Sequence, residues 1–468
     1  MGELKPLKDA AKEKAEILSK LALEDRRIGI IGHFDADGIS ASSILAKAIQ
    51  RKGGKFTARA VRDGSPTTLQ QVKESGFEFH VFCDIIPGQT EAFSEGFGEL
   101  WMTVDHHQVQ TAKSDPKRFN ACNYSFDGST EISGAGMAYL IAVQMEQSNH
   151  DLSWLPVVGA LAEKQDKGNR HALMGLNIEI VDDAKKLNLL KEDIDILLFG
   201  RESRPIHESL ASTSSVYLPG LTGNRDACLA TLTSAGLKLR NDNRWRTISE
   251  LTEDEKQILI DTVTPHLGGD GDTESQVEEL VGTVYTLSQE DEFSSMRDAR
   301  ELGSLLNACG RMLHAGLGVS ICLGDRGESL FEGEEILAEY RQSLNKAIQT
   351  VLEDSTLVTE DEHMIFVKAD RIVNEDILGP VASLLSGSQR FTMRPLFIVT
   401  EGKEGTTRLS ARSTRGCSFS LNLGKLLSDT AKELDCLGGG HQAAAGAMFP
   451  TSRLPEVLKS LKDGLSSN

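Results

Sequence analysis

Seven side chains able to ligate a metal or move a proton stand in three short clusters of this 468-residue chain. They are His33, Asp35 and Asp37 in His33-Phe34-Asp35-Ala36-Asp37-Gly38, Asp84 in Phe82-Cys83-Asp84, and Asp105, His106 and His107 in Val104-Asp105-His106-His107. Side chains of extended chain repeat every two residues, so His33, Asp35 and Asp37 share one face. Four carboxylates and three imidazoles brought together would form a costly cluster of negative charge unless a multivalent cation held it. Oxygen and imidazole donors with no thiolate suit Mn2+ or Mg2+ better than a structural zinc. The cysteines agree: Cys83, Cys122, Cys228, Cys309, Cys322, Cys417 and Cys436 are odd in number, scattered and never spaced C-x-x-C, so they read as reduced thiols.

Each cluster closes an apolar run of strand length. Runs at 28–32, 56–61, 79–83 and 100–104 alternate with helical periodicity at 40–50 and 66–74, after an N-terminal polar helix with Ile17, Leu18 and Leu21 on one side. Such alternation implies βαβ units and a parallel sheet, whose ligands bind beyond the carboxyl ends of its strands. Helices are expected at 131–147 and 155–165. The mixed, charged middle, 187–273, ends in Gly268-Gly269-Asp270-Gly271-Asp272 and reads as a linker. A second α/β unit is expected after it, with strands at 281–287, 319–323, 364–367, 396–400 and 408–411 between helices at 299–314, 335–353 and 423–434. The expected organisation is therefore α/β: a domain at 1–186 with a parallel sheet flanked by helices, a linker or insertion at 187–273, and a smaller α/β domain at 274–468, with a cleft between the two domains as the place for a substrate.

Composition limits the partners. Fifty Lys and Arg against 69 Asp and Glu leave a net charge of −19, which excludes a bulk electrostatic binder of nucleic acid. Hydrophobic content of 39% excludes disorder, and no run approaches the roughly 18 uncharged apolar residues of a membrane helix. A soluble, cytoplasmic protein without a membrane partner is expected. Against that acidic background, residues 390–415 carry six basic residues and two acidic ones. On the strand there, Arg408, Ser410 and Arg412 share a face suited to phosphate oxygens. Gly438-Gly439-Gly440-His441 precedes the small-residue run 443–447, read as a helix start, and the two would make a phosphate grip. Aromatics are 5% of the chain and form no stacking stripe; Phe391, Phe397 and Phe419 read as core.

The ordered clusters resemble the first three motifs of the DHH phosphoesterase superfamily, and Gly438-Gly439-Gly440-His441 with Ala443-Ala444-Ala445-Gly446 resembles its DHHA1 domain. The stretch Arg297-Asp298-Ala299-Arg300-Glu301, continuing to Leu306-Asn307-Ala308-Cys309-Gly310-Arg311, is similar to a signature of the archaeal RecJ-like branch, the GINS-associated nucleases. The resemblance implies two divalent ions, Mn2+ or Mg2+. One would be held by His33, Asp35 and Asp84, the other by Asp37, Asp84, His106 and a fourth-motif carboxylate, with Asp84 bridging. It further implies that Asp105 orients a ligand and that His107 faces the scissile phosphate. The fourth motif departs from relatives: Gly159-Ala160-Leu161-Ala162 is followed by Glu163, with Asp166 one turn later, and either could reach the metal. The implied activity is a metal-dependent exonuclease removing nucleotides from single-stranded DNA or RNA, with replication and repair as its setting and a GINS or replicative-helicase complex as partner. Two alternatives stay open: a phosphodiesterase of short oligonucleotides or cyclic dinucleotides, and a weakly active or inactive GINS-binding scaffold.

Overall fold

The computed structural model of the chain describes residues 3–85, 96–108, 115–213, 218–267, 277–278, 280–388, 390–417 and 421–466. The glycine-rich segment 268–272 and Phe419 lie outside the described residues. The chain divides into two compact units, Met1–Ser209 with Lys238–Lys256 and Val277–Leu337, and Leu210–Leu237 with Gln257–Gln276 and Ala338–Asn468.

In the first unit, helix α1 (Leu4–Leu23) precedes β1 (Arg27–His33), α2 (Ala36–Arg51), β2 (Lys55–Val61), α3 (Pro66–Glu74), β3 (Phe79–Cys83), β4 (Trp101–Asp105) and β5 (Arg118–Asn120). The five strands form an all-parallel sheet in the order β2-β1-β3-β4-β5. The order reverses between β1 and β3, so the crevice beyond their carboxyl ends is the topological switch point where ligands bind in such sheets. Strands β3 and β4 are buried along their whole length, as strands of a sheet covered on both faces are. Helix α1 turns Leu7, Ala11, Ala15 and Leu18 inward. Ile17, expected on the apolar side, is 41% exposed, because the buried stripe runs through 7, 11, 15, 18 and 22.

Helices α4 (Gly134–Met145), α5 (Trp154–Ala162) and α6 (Leu176–Lys186) follow. Helix α4 is apolar all round and almost wholly buried against α1, α2 and α5. The described residues between 190 and 267, expected as a linker or insertion, include a strand and three helices. Strand β6 (Leu190–Ile196) pairs antiparallel with β7 (Val281–Leu287), and between them lie the helices Ile206–Ser212, Arg225–Ser234 and Glu253–Val263. The run at 281–287 therefore completes the first unit instead of opening the second. Sequence missed this because β6 alternates charge with single apolar residues, and only its pairing with β7 makes it a strand. The signature segment forms α7 (Ala299–Arg311), and α8 (Ala315–Leu323) follows. Residues 319–323, expected as a strand, are the last turns of α8: a short apolar run does not tell strand from helix, and Ala315, Gly318, Ile321 and Cys322 bury one helical stripe.

The long helix α9 (Glu328–Glu353) leads into the second unit. There β8 (Val358–Glu360), β9 (Ile365–Lys368), α10 (Leu378–Ser386), β10 (Leu396–Glu401), β11 (Thr406–Arg412), α11 (Leu423–Glu433), β12 (Leu437–Gly440), β13 (Ala444–Pro450) and α12 (Leu454–Ser466) build a mixed sheet in the order β8-β9-β10-β11-β13-β12. On β10, Leu396 and Ile398 join a core with α9 and α10, while Phe397 and Val399 face a second core with α11 and α12. Period-two alternation thus supplies helices on both faces. Phe391 and Phe397 are core, as expected. The small-residue run at 443–447 does not start a helix: it is β13, paired to β11 on one side and β12 on the other. Pairing overrides the helix propensity of alanine here.

Candidate metal centre

The first cluster is held by the start of α2. Asp35 is its N-cap, accepting a hydrogen bond from Gly38 N at 3.1 Å. Glycine is required at 38 by close approach: a Cβ there would lie 2.4 Å from the carbonyl oxygen of His33. The other Asp35 oxygen lies 2.6 Å from His33 Nδ1, and His33 Nδ1 is 3.7 Å from Asp84 Oδ2. Asp84, just past β3, adopts a left-handed backbone, φ 58°, and is 2% exposed. Its second oxygen, Oδ1, lies 3.2 Å from His106 Nε2 and 3.6 Å from His107 Nδ1. Asp84 therefore faces both halves of the cluster, and it belongs to both groups of donor atoms that fall within 4.8 Å of one another: His33, Asp35, Asp84 and Asp84, Asp105, His106, His107.

Asp37 is completely buried and accepts backbone N–H groups of Gly134 at 2.6 Å and Ala135 at 3.0 Å, the first turn of α4. A helix N-terminus favours an anion, yet burial and the neighbouring Asp84 prevail and push the Asp37 carboxyl up to about 7. His106 Nε2 is 3.6 Å from Asp37 Oδ2. His106 turns Nδ1 to the carbonyl of Gly128 at 2.5 Å, which leaves Nε2 as the ring nitrogen directed at the carboxylates, where a cation could replace its proton. Asp105 accepts N–H groups of His106 and His107 and pairs with His107 Nδ1 at 2.7 Å. Burial opposes ionisation of His107, but the Asp105 contact outweighs it and the imidazole is held above its ordinary range.

Glu163 caps the end of α5, and burial together with the charges of Asp35, Asp84 and Asp37 pushes its carboxyl up to about 8. Asp166 turns away to Arg300, 2.9 Å from its guanidinium. Sequence reading missed three supports: the Gly134 and Ala135 amides, the Gly128 carbonyl, and buried Gln165, whose amide donates to Gly128 and Ile132 carbonyls and accepts from Asn177. Ser133 before small residues is a helix-start signal. Nothing local says that this helix start lies over Asp37. Phe34 was likewise unassigned; the guanidiniums of Arg62 and Arg311 each lie 5.6 Å from its ring centre.

The donor set fits a cation. Buried His33 Nδ1, Asp84 Oδ1 and His106 Nε2 face the charged side chains of the cluster, His33 towards Asp35 and Asp84 and His106 towards Asp37 and Asp84. Burial lowers the pKa of His33 and of His106, but nearby carboxylates raise both well above the ordinary range. Together with Asp37 and Glu163, these groups retain protons where a metal would supply positive charge.

In the second unit, Arg408, Ser410 and Arg412 share one face of β11, opposite the core residues Leu409 and Ala411. Arg412 bonds Ser410 Oγ at 3.0 Å and Ser383 Oγ at 2.9 Å. The basic excess of 390–415 is largely paired: Arg390 and Arg394 with Glu360, and Arg408 and Lys403 with Glu375. Those acids lie outside the segment, so a local count could not include them. Gly439 pairs with Gly446, which pairs with Ser410 on its other side, so the glycine run lies two strands from Ser410, with β13 between them. His441 is exposed in the turn after β12. The helix start beside this turn is α11, whose Gly424 N–H donates to the His441 carbonyl at 2.9 Å.

A doubly wound sheet with a His/Asp centre at its switch point, followed by a second mixed α/β unit, defines the class. Three family descriptions match in order: the DHH family N-terminal domain at 27–160, the DHH-CID domain at 198–281 and the DHHA1 domain at 361–467. The chain belongs to the DHH/DHHA1 phosphoesterases and is RecJ-like. It is 26% identical to an uncharacterized protein of Methanocaldococcus jannaschii over 98% of both chains. It is also 25% identical to the single-stranded-DNA-specific exonuclease RecJ of Bacillus subtilis, over 98% of this chain and 48% of the relative, so it spans about half that protein. Among solved structures, its fold is similar to RecJ of Thermus thermophilus in complex with Mn2+, with a TM-score of 0.60, 15% identity and coverage of 98% and 55%. It is similar as well to CDC45 of Entamoeba histolytica, with a TM-score of 0.65, 14% identity and coverage of 98% and 99%.

Proposed function

We propose that this phosphoesterase is a metal-dependent exonuclease that removes nucleotides from an end of single-stranded DNA or RNA. The observation that carries the reading is the convergence of His33, Asp35, Asp37, Asp84, His106 and His107 at the sheet's switch point. His33, Asp35 and Asp84 would hold one Mn2+ or Mg2+, and Asp37, Asp84, His106 and Glu163 a second. Bound there, a metal pair supplies an activated water and stabilises the attacking and leaving oxygens of an in-line displacement. The protein's own part is orientation and charge. Asp105 fixes the His107 ring by accepting from Nδ1 and favours its protonated form, leaving Nε2 of the part-exposed imidazole to meet a phosphate oxygen. The amides of Gly134 and Ala135 hold Asp37 in place through any change in its charge. In the DHHA1 unit, Arg408, Ser410, Arg412, Gly438, Gly439, Gly440 and His441 would grip the strand through phosphate oxygens, which supports contact with backbone more than with bases.

The presence together of His33, Asp35, Asp37, Asp84 and His106 supports the enzyme over the scaffold reading. The test is Asp84→Ala: hydrolysis of a single strand should vanish while the protein stays folded, and retained cleavage would sink the assignment.

A further inference from the structure

The signature segment that forms α7 contributes no ligand to the cluster, yet its last turn reaches the loop that carries three of them. Asp35 caps α2 locally, satisfying Gly38 N, while the backbone N–H of Ala36, between the two carboxylate positions, is directed elsewhere. It donates to Asn307 Oδ1 at 3.0 Å, across 271 residues of sequence. Ala36 is fully buried, so water does not substitute for that acceptor. One turn on, Gly310 sits so close that a Cβ would lie 1.7 Å from the carbonyl oxygen of Phe34. The backbone of 34–36 is thus held from α7 at a donor and at a carbonyl. Helix α7 is itself fixed against α2 and α5, and its Arg300 ties it to Asp166.

Resting on the metal reading above, we propose that Asn307 is a positioning residue: by accepting the Ala36 N–H it sets the peptide between Asp35 and Asp37, and so the mutual direction of their carboxylates toward a divalent cation. The acceptor must be the carboxamide oxygen, because the partner is an N–H donor. A leucine of similar volume removes the acceptor, and an aspartate keeps it. In the first case the buried amide is left without its acceptor, and the peptide between Asp35 and Asp37 loses its anchor to α7.

The experiment is Mn2+ titration by calorimetry of the full chain, wild type beside Asn307→Leu and Asn307→Asp, with melting curves in EDTA as a folding control. The expected result is an affinity loss of roughly 10–100-fold for the leucine variant, the range for removing a group that orients a ligand, with a changed Mn2+ electron paramagnetic resonance line shape. The aspartate variant should bind within about threefold of wild type. Wild-type affinity in a folded leucine variant overturns the proposal. If the leucine variant does not fold, the aspartate variant decides alone, and a tenfold or greater loss in it overturns the proposal. A wild type that binds no Mn2+ overturns the metal reading and this proposal together, whereas tight wild-type binding with an unaffected leucine variant removes the clamp only.

Discussion

Asp84 is the side chain on which the centre turns, because its two oxygens face His33 on one side and His106 with His107 on the other. Its replacement by Asn should lower hydrolysis by ~10²–10³-fold or more, with no loss of melting temperature in EDTA, since one buried charge is relieved. Glu163 and Asp166 should separate cleanly. Glu163→Gln should weaken Mn2+ binding at least tenfold, within the range for disturbing a metal's supporting groups. Asp166→Asn should leave Mn2+ affinity unchanged and cost roughly 1–2 kcal/mol of stability through Arg300; calorimetry with thermal melts reads both. Protonation gives a further check. Asp37 and Glu163 sit at about 7 and about 8, against ordinary values of 3.8 and 4.5. The folded state therefore keeps protons that the unfolded chain has released, so these groups stabilise the fold below the unfolded values and lose that contribution as pH rises through 7 and 8. The raised His33 and His106 act in the same sense, while the depressed Asp35 and Asp105 matter only in acid. Without metal, melting temperature should fall between about pH 6 and 8, and Mn2+ should restore it with release of protons. A profile flat over that interval would remove the account of Asp37 and Glu163.

Helix starts and strand ends do the positioning, and their tolerances are small. A Cβ on Gly159 of α5 would lie 2.3 Å from Asp37 Oδ1. Gly159→Ala should cost about 1–3 kcal/mol as overpacking and lower Mn2+ affinity, because Asp37 cannot move without losing the α4 amides; melts and calorimetry measure both. On β11, Arg412→Ala should weaken single-strand binding and reduce its salt slope by about one phosphate contact. The juxtaposition of His33, Asp35, Asp37, Asp84, Asp105, His106 and His107 was legible in sequence because these residues end or follow the apolar runs of parallel strands, whose carboxyl ends lie on one edge of the sheet. The orienting partners were not legible. Asn307 lies 271 residues from Ala36, and the Gly134 and Ala135 amides 97 and 98 from Asp37, so only strand order brings them together. The reading of 443–447 as a helix start failed for the same reason in reverse: local alanine propensity lost to pairing with β11 and β12.

At the scale of the molecule, a net charge of −19 makes general attraction to a polyanion unfavourable, so a strand must be held at built sites. Among the described residues no helix is long and apolar enough to cross a membrane. The acids Glu360 and Glu375 neutralise much of the local basic excess, which leaves the Ser410–Arg412 row and the glycine run as the proposed grip. Short and long substrates should then differ, since a strand too short to reach that grip loses binding but keeps the chemistry. The most direct test is hydrolysis of end-labelled single strands of about four and about thirty nucleotides, DNA and RNA, with Mn2+, Mg2+ or EDTA. The account predicts stepwise shortening of the long strand from one end with either metal and none with EDTA. Cleavage that persists in EDTA, or no product from a folded, Mn2+-saturated protein, would contradict it.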